Sequence, residues 1–141
     1  MITKSGSAIW TGSLKEGGGS ITTQSGALNA IPFSFATRFE DKTGSNPEEL
    51  IGAAHAACYS MFLSALMGGA GITPASITTT STITLDPTTE GSPTVTKAHL
   101  ATVVKADAPE AKLRELAAQA EAGCPISKLL RAEVTLEVTI G

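Results

Sequence analysis

Asn46-Pro47-Glu48-Glu49-Leu50-Ile51-Gly52-Ala53-Ala54-His55-Ala56-Ala57-Cys58-Tyr59-Ser60-Met61-Phe62-Leu63 is the stretch whose reading decides the fold. Asn46 is a candidate N-cap, Pro47 takes the first helical position and Glu49 follows the cap by three residues, which together mark a helix start. The chain then runs apolar with small residues on every side, the pattern of a buried central helix, and Gly68-Gly69-Ala70-Gly71 supplies its stop. Cys58 lies in the middle of that helix. A cysteine there is either a small packing residue or a reactive thiol.

Bulk properties narrow the choice. A chain of 141 residues with a net charge of −3 is expected to form one domain, residues 1–141, with a proper core. No run of Lys or Arg offers the electrostatic footprint of a nucleic-acid or anionic-membrane binder. His55, Ser60, Ser64, the glutamate pair and Gly68-Gly69 suit a helix buried in protein better than one in lipid. The segment Met1–Ser7 lacks the apolar core of a secretory signal, so a cytoplasmic location is expected. Two cysteines, without Cys-x-x-Cys spacing, make neither a disulfide scaffold nor a zinc site, and no cofactor is expected.

Outward from the helix, residues Ala8–Leu14 and Ser20–Ser25 read as a hairpin around Lys15-Glu16-Gly17-Gly18-Gly19, and Ile31–Phe35 as a third strand. Arg38 then falls in a loop-like approach to the helix. Beyond it, Ile77, Ile83 and Leu85 share one face of a Thr-rich strand, and the segment 86–93 turns the chain. Ala98, Leu100 and Val104 face inward on the returning strand, opposite Lys97, His99 and Lys105. Pro109 opens a helix with the apolar stripe Leu113, Leu116, Ala117 and Ala120. Pro125 starts another, with Cys124 at its N-cap, and Val134, Leu136, Val138 and Ile140 alternate along a final strand. The class is α+β.

Burial alone raises a thiol pKa and silences it, so a reactive Cys58 needs a cation, and Arg38 is a candidate because a guanidinium stays charged when partly buried. Cys124, at a helix start, has unpaired backbone N–H groups available to a thiolate. A sulfenic acid on one cysteine is commonly captured by a second thiol. His55 shares the face of Cys58; a Cys–His pair or a metal leg is conceivable there, but one such step is a weak signal and a hydrogen-bonded core histidine fits it as well. By helical phase Glu48 lies on the cysteine's side and Glu49 opposite, where it suits a capping box with Asn46.

The runs Asn46–Cys58, Thr37-Arg38-Phe39-Glu40 and Ala122-Gly123-Cys124-Pro125-Ile126-Ser127 strongly resemble the OsmC/Ohr family of thiol-dependent hydroperoxide reductases. Gly-Ala-Ala-His-Ala-Ala-Cys (52–58) looks like the osmotically inducible protein C branch. The resemblance implies that Cys58 is the peroxidatic nucleophile, that Cys124 resolves its sulfenic acid as a disulfide, and that Arg38 stabilises the thiolate while Glu48 orients Arg38. It also implies an intertwined homodimer with two long central helices wrapped by antiparallel β-sheets. Organic hydroperoxides would be the substrates, hydrogen peroxide a poorer one, and an external dithiol of the lipoyl type the reductant.

Ten helical residues span about 15 Å, too far for one arginine to touch both Glu48 and Cys58 of a straight helix. Arg38 and Glu48 of one subunit are therefore expected to complete the site around Cys58 and Cys124 of the other. The alternatives are a redox sensor built on the same two thiols, and a non-catalytic binding dimer with inert ones.

Overall fold

Ser34 sets the geometry of the N-terminal part. In the computed structural model, which describes residues 1–141, its hydroxyl accepts the Thr37 N–H at 3.3 Å while Thr37 Oγ1 accepts the Ser34 N–H at 2.8 Å. This reciprocal cap starts a short helix, α1 (Phe35–Phe39), and ends the strand before it. Arg38 therefore stands on a helix rather than in the expected loop, and the third strand stops at Phe33 rather than Phe35.

The chain divides into two compact units, Met1–Leu50 and Ile51–Gly141. The first holds β1 (Gly6–Thr11), β2 (Gly18–Thr23) and β3 (Ile31–Phe33), an antiparallel sheet in that order. Gly18 and Gly19 lie within β2, so the reversal falls earlier than the glycine run suggests. The reason is steric. A Cβ on Gly19 would meet the Ile9 carbonyl and the Phe33 ring, which instead packs on Trp10 with ring centroids 5.4 Å apart.

The long helix α2 runs from Pro47 to Gly69, and its first turn belongs to the first unit. Asn46 Oδ1 accepts the Glu49 N–H at 2.8 Å, so Asn46 caps the helix. Glu49 contributes to the cap through its backbone only, and its side chain is exposed. By length and composition α2 could cross a bilayer. Its inward face, though, carries His55 and Tyr59, both buried and hydrogen-bonded to other parts of the second unit, together with Leu63 and Met67.

In the second unit β4 (Pro74–Asp86) and β5 (Thr94–Ala106) form a long antiparallel hairpin. The chain then passes through α3 (Glu110–Gly123) and α4 (Pro125–Leu129) to β6 (Glu133–Ile140). β6 pairs parallel with β5, from Lys97 opposite Glu133 to Val104 opposite Ile140. The expectation of antiparallel sheets is thus wrong for this pair. A connection through two helices is long enough to return the chain to the same end of the sheet, which a tight turn cannot do.

All four residues of the expected α3 stripe are buried, and they join Tyr59, Leu63, Met67, Leu100 and Val104 in one core. Each large apolar side chain fully buried there contributes about 1.5–3 kcal/mol. Close approach of α2 to β4 depends on Gly52, because a Cβ would lie 2.8 Å from the Ser81 carbonyl oxygen. Polar contacts continue the docking: Ser60 Oγ donates to Thr79 Oγ1 at 2.8 Å, which bonds Thr102 Oγ1 at 2.9 Å.

Candidate active site

Cys58 and Cys124 are both free thiols, the first half-buried on α2 and the second fully buried between α3 and α4. Their side chains are neighbours, close enough for the Cys124 thiol to affect the ionisation of Cys58, so α2 and the start of α4 bring together two sulfurs far apart in the chain. Cys124 is the N-cap residue of α4, and its side chain makes no capping bond. The backbone N–H of Ile126, in the first turn of α4, lies near enough to the sulfur of Cys58 to favour its thiolate. Burial pushes the Cys58 thiol up, the Ile126 N–H pulls it down, and the Cys124 thiol beside it pushes it up again. The net direction is upward, so within this unit alone Cys58 is held as a thiol.

His55 is fully buried one turn before Cys58. Its Nε2 bonds Ser127 Oγ at 2.7 Å and its Nδ1 bonds Ser81 Oγ at 2.8 Å. With both ring nitrogens engaged by hydroxyls, no lone pair is left for the thiol or for a metal, and the Cys–His pair is set aside. Burial lowers the His55 pKa from 6.5, which keeps the ring neutral. The unfolded chain therefore takes up this proton near its ordinary pKa while the native chain does so only at lower pH, and native stability is lost as pH falls through about 6.5. A falling urea midpoint below neutral pH is expected, with this one group contributing a slope of at most about 1.4 kcal/mol per pH unit. His55→Gln should flatten that slope; an unchanged slope would contradict a neutral native His55.

The first unit carries the other two candidates. Arg38 Nη2 and Nε donate to Glu48 Oε1 at 2.8 and 3.0 Å, and Nε also reaches Oε2 at 3.3 Å. Glu48 is largely covered, and Arg38 is about one-third exposed with Nη1 free of any partner in the chain. The guanidinium lies 5.2 Å from the Phe39 ring centroid. Arg38 also lines an apolar cleft of about 310 Å³ together with Trp10, Leu14, Phe33, Phe35, Phe39 and Pro47.

The four candidate residues thus form two pairs, Arg38 with Glu48 in residues 1–50 and Cys58 with Cys124 in residues 51–141. Reading the residues did not single out Ile126, Ser127, Ser81 or the aromatic lining of the cleft. A backbone N–H leaves no mark in a sequence, and hydroxyl residues are too common to signal a role. The Ser34-x-x-Thr37 step could have revealed α1, and with it the side of Arg38 that meets Phe39.

The second unit thus sets a half-buried thiol on α2 beside a buried one at the start of α4, and the first unit carries an arginine anchored on a carboxylate. The family model described as "OsmC-like protein" matches residues 39–139. The proteins named Peroxiredoxin OsmC from Escherichia coli (strain K12) and Shigella flexneri are each 48% identical to this chain over 137 residues, covering 96% of it and 95% of the relative. The fold is similar to that of an OsmC-like protein of unknown function from Vibrio cholerae, with a TM-score of 0.78 at 19% identity, covering 98% of this chain and 99% of that one. It is similar also to an organic hydroperoxide resistance protein from Elizabethkingia anophelis, with a TM-score of 0.75 at 20% identity, covering 100% and 96%. The chain belongs to the OsmC family.

Proposed function

We propose that this protein reduces organic hydroperoxides to alcohols, and less readily hydrogen peroxide to water, in antioxidant and stress defence. Its relatives at 48% identity are named peroxiredoxins, and the chain is a cysteine-based peroxidase. The observation that carries the reading is that the fold makes neighbours of the Cys58 and Cys124 side chains, 66 residues apart in the chain.

The Cys58 thiolate attacks one oxygen of ROOH; the O–O bond breaks, the other oxygen leaves as the alcohol after taking a proton, and Cys58 becomes a sulfenic acid. Cys124 then attacks that sulfur, a disulfide forms and water leaves. A dithiol of the lipoyl type donates two electrons and two protons, regenerates both thiols and is itself oxidised to a disulfide. No resident cofactor takes part.

The net upward shift of Cys58 within its own unit makes a nearby cation necessary, and Arg38 is assigned that role, with Glu48 orienting it. A guanidinium lowers the thiol pKa and donates to the peroxide oxygens. Glu48 and Cys58 are ten residues apart on one helix, so Arg38 and Glu48 are assigned to the Cys58 of the opposite subunit in an intertwined homodimer of OsmC-like domains. An uncovered stripe on α2, comprising Ala53, Ala54, Ala57, Met61 and Ala65, supports the pairing of two such helices. The apolar cleft beside Arg38 supports alkyl or aryl substituents on the peroxide.

Hydroperoxide consumption tests this reading. With dihydrolipoamide in excess, many equivalents of tert-butyl hydroperoxide should disappear per chain, and hydrogen peroxide should disappear more slowly. A single equivalent followed by arrest would favour a redox sensor, and unreactive thiols a binding dimer.

A further inference from the structure

His55 is buried, neutral and bonded at both nitrogens, yet no step of the reaction above uses it. Its two partners come from different elements. Ser81 is on β4, and Ser127 is on α4, next to Ile126, which lies near Cys58, and three residues from Cys124. On α2, His55 is likewise three residues from Cys58. Residues three apart on a helix share a face, about 4.5 Å apart along its axis. The two elements thus face each other at two places one turn apart, where His55 is hydrogen-bonded to Ser127 and where Cys58 lies beside Cys124.

We propose that His55 is the positioning residue of the resolving step: through Ser127 it holds α4 so that Cys124 remains opposite Cys58 while the sulfenic acid is captured. The inference rests on the two-cysteine reaction proposed above. α4 has five residues, too few for a helix to persist without tertiary support. Pro125, Lys128 and Leu129 are exposed, so its hold on the rest of the unit runs through Ile126 and Ser127. Ile126 contributes apolar packing, which is non-directional. The hydrogen bond between Ser127 and a histidine anchored on Ser81 fixes orientation, because it is directional and cannot be replaced by water at a fully buried site.

Orientation matters for chemistry. Cys124 is fully buried and takes part only by reaching the sulfur of Cys58. In the capture step the S–O bond of the sulfenic acid breaks, the S–S bond forms, and the hydroxyl leaves as water with the Cys124 proton. If α4 drifts, the sulfenic acid persists, and a second hydroperoxide oxidises it to the sulfinic acid while being reduced to its alcohol.

The test is a single-turnover experiment with tert-butyl hydroperoxide, following Cys58 oxidation, disulfide formation by mass spectrometry, and sulfenic acid by dimedone trapping. Ser127→Ala and His55→Leu should slow disulfide formation at least about tenfold, the consequence of a buried partner left unsatisfied, with far less change in the first oxidation. Dimedone-trapped Cys58 should rise, and sulfinic acid should accumulate at excess peroxide. His55→Gln, which keeps a donor and an acceptor, should recover part of the rate. Ser127→Ala deletes a single hydroxyl and carries the test if the leucine variant does not fold.

Thr79→Val is the structural comparison, since it breaks the Ser60–Thr79–Thr102 hydroxyl chain in the same unit without touching α4. Disulfide formation within twofold of wild type in both Ser127→Ala and His55→Leu, or slowed equally by Thr79→Val, overturns the inference alone. A wild-type chain that never forms the disulfide overturns the proposed function, and this inference with it.

Discussion

Cys58→Ser is expected to lower hydroperoxide turnover by about 10³-fold or more, to the uncatalysed background, because the alcohol that replaces the thiol cannot carry the transferred oxygen or become a disulfide. Cys124→Ser should behave differently. Its Cys58 remains competent for the first oxidation, so one equivalent of hydroperoxide per chain is consumed at close to the wild-type rate. Turnover driven by a dithiol then falls, and dimedone-reactive Cys58 accumulates. The difference between the two variants is the informative quantity, since a general loss of folding would abolish both phases in both. Residual peroxide after rapid mixing, read alongside the mass of the protein, separates them. Full turnover by Cys58→Ser would remove Cys58 from the reaction and with it the assignment of the site.

Different parts of the molecule were legible in the sequence to different degrees, for physical reasons. α3 could be read to the residue, because a single amphipathic helix prints its buried face as a period, and Leu113, Leu116, Ala117 and Ala120 are the residues it buries. The start of α2 was equally clear, because a cap is a local contact between Asn46 and Glu49. The direction of β6 was not, since alternating side chains look the same in a parallel and an antiparallel ladder; only the crossover through α3 and α4 decides it. α1 is too short to show any period, so Arg38 read as loop.

At the site, the two cysteines could be named as candidates from their residue type and helix positions. Their proximity could not be inferred from spacing, because it depends on how α4 returns to α2. His55 was ambiguous for a related reason. Whether it was a base, a ligand or a clamp depended on Ser81 and Ser127, whose hydroxyls reach it only once the sheet and α4 are in place.

Arg38→Ala is expected to lower turnover on the order of 10²-fold, the usual cost of deleting a donor aimed at developing charge, and to move the pH profile alkaline. The direction follows from Cys58: burial already raises its thiol pKa, so removing the cation leaves less thiolate at neutral pH. Glu48→Gln should lose less, because Arg38 keeps its charge and loses only its bidentate anchor. Mixing variants then asks which subunit supplies the arginine. Inactive Arg38→Ala and inactive Cys58→Ser chains, unfolded together and refolded at equal ratio, form hybrid dimers. If Arg38 serves the opposite subunit, each hybrid has one complete site: the Cys58 and Cys124 of the first chain and the Arg38 and Glu48 of the second. Random pairing makes half the dimers hybrids with one of two sites intact, so activity should return to about a quarter of wild type. If Arg38 acts within its own chain, every hybrid site lacks either the arginine or the nucleophile, and mixing restores nothing. Recovery near a quarter together with an alkaline shift in Arg38→Ala would tie thiolate stabilisation to dimer formation, so that an isolated chain would hold its two thiols side by side and still react slowly.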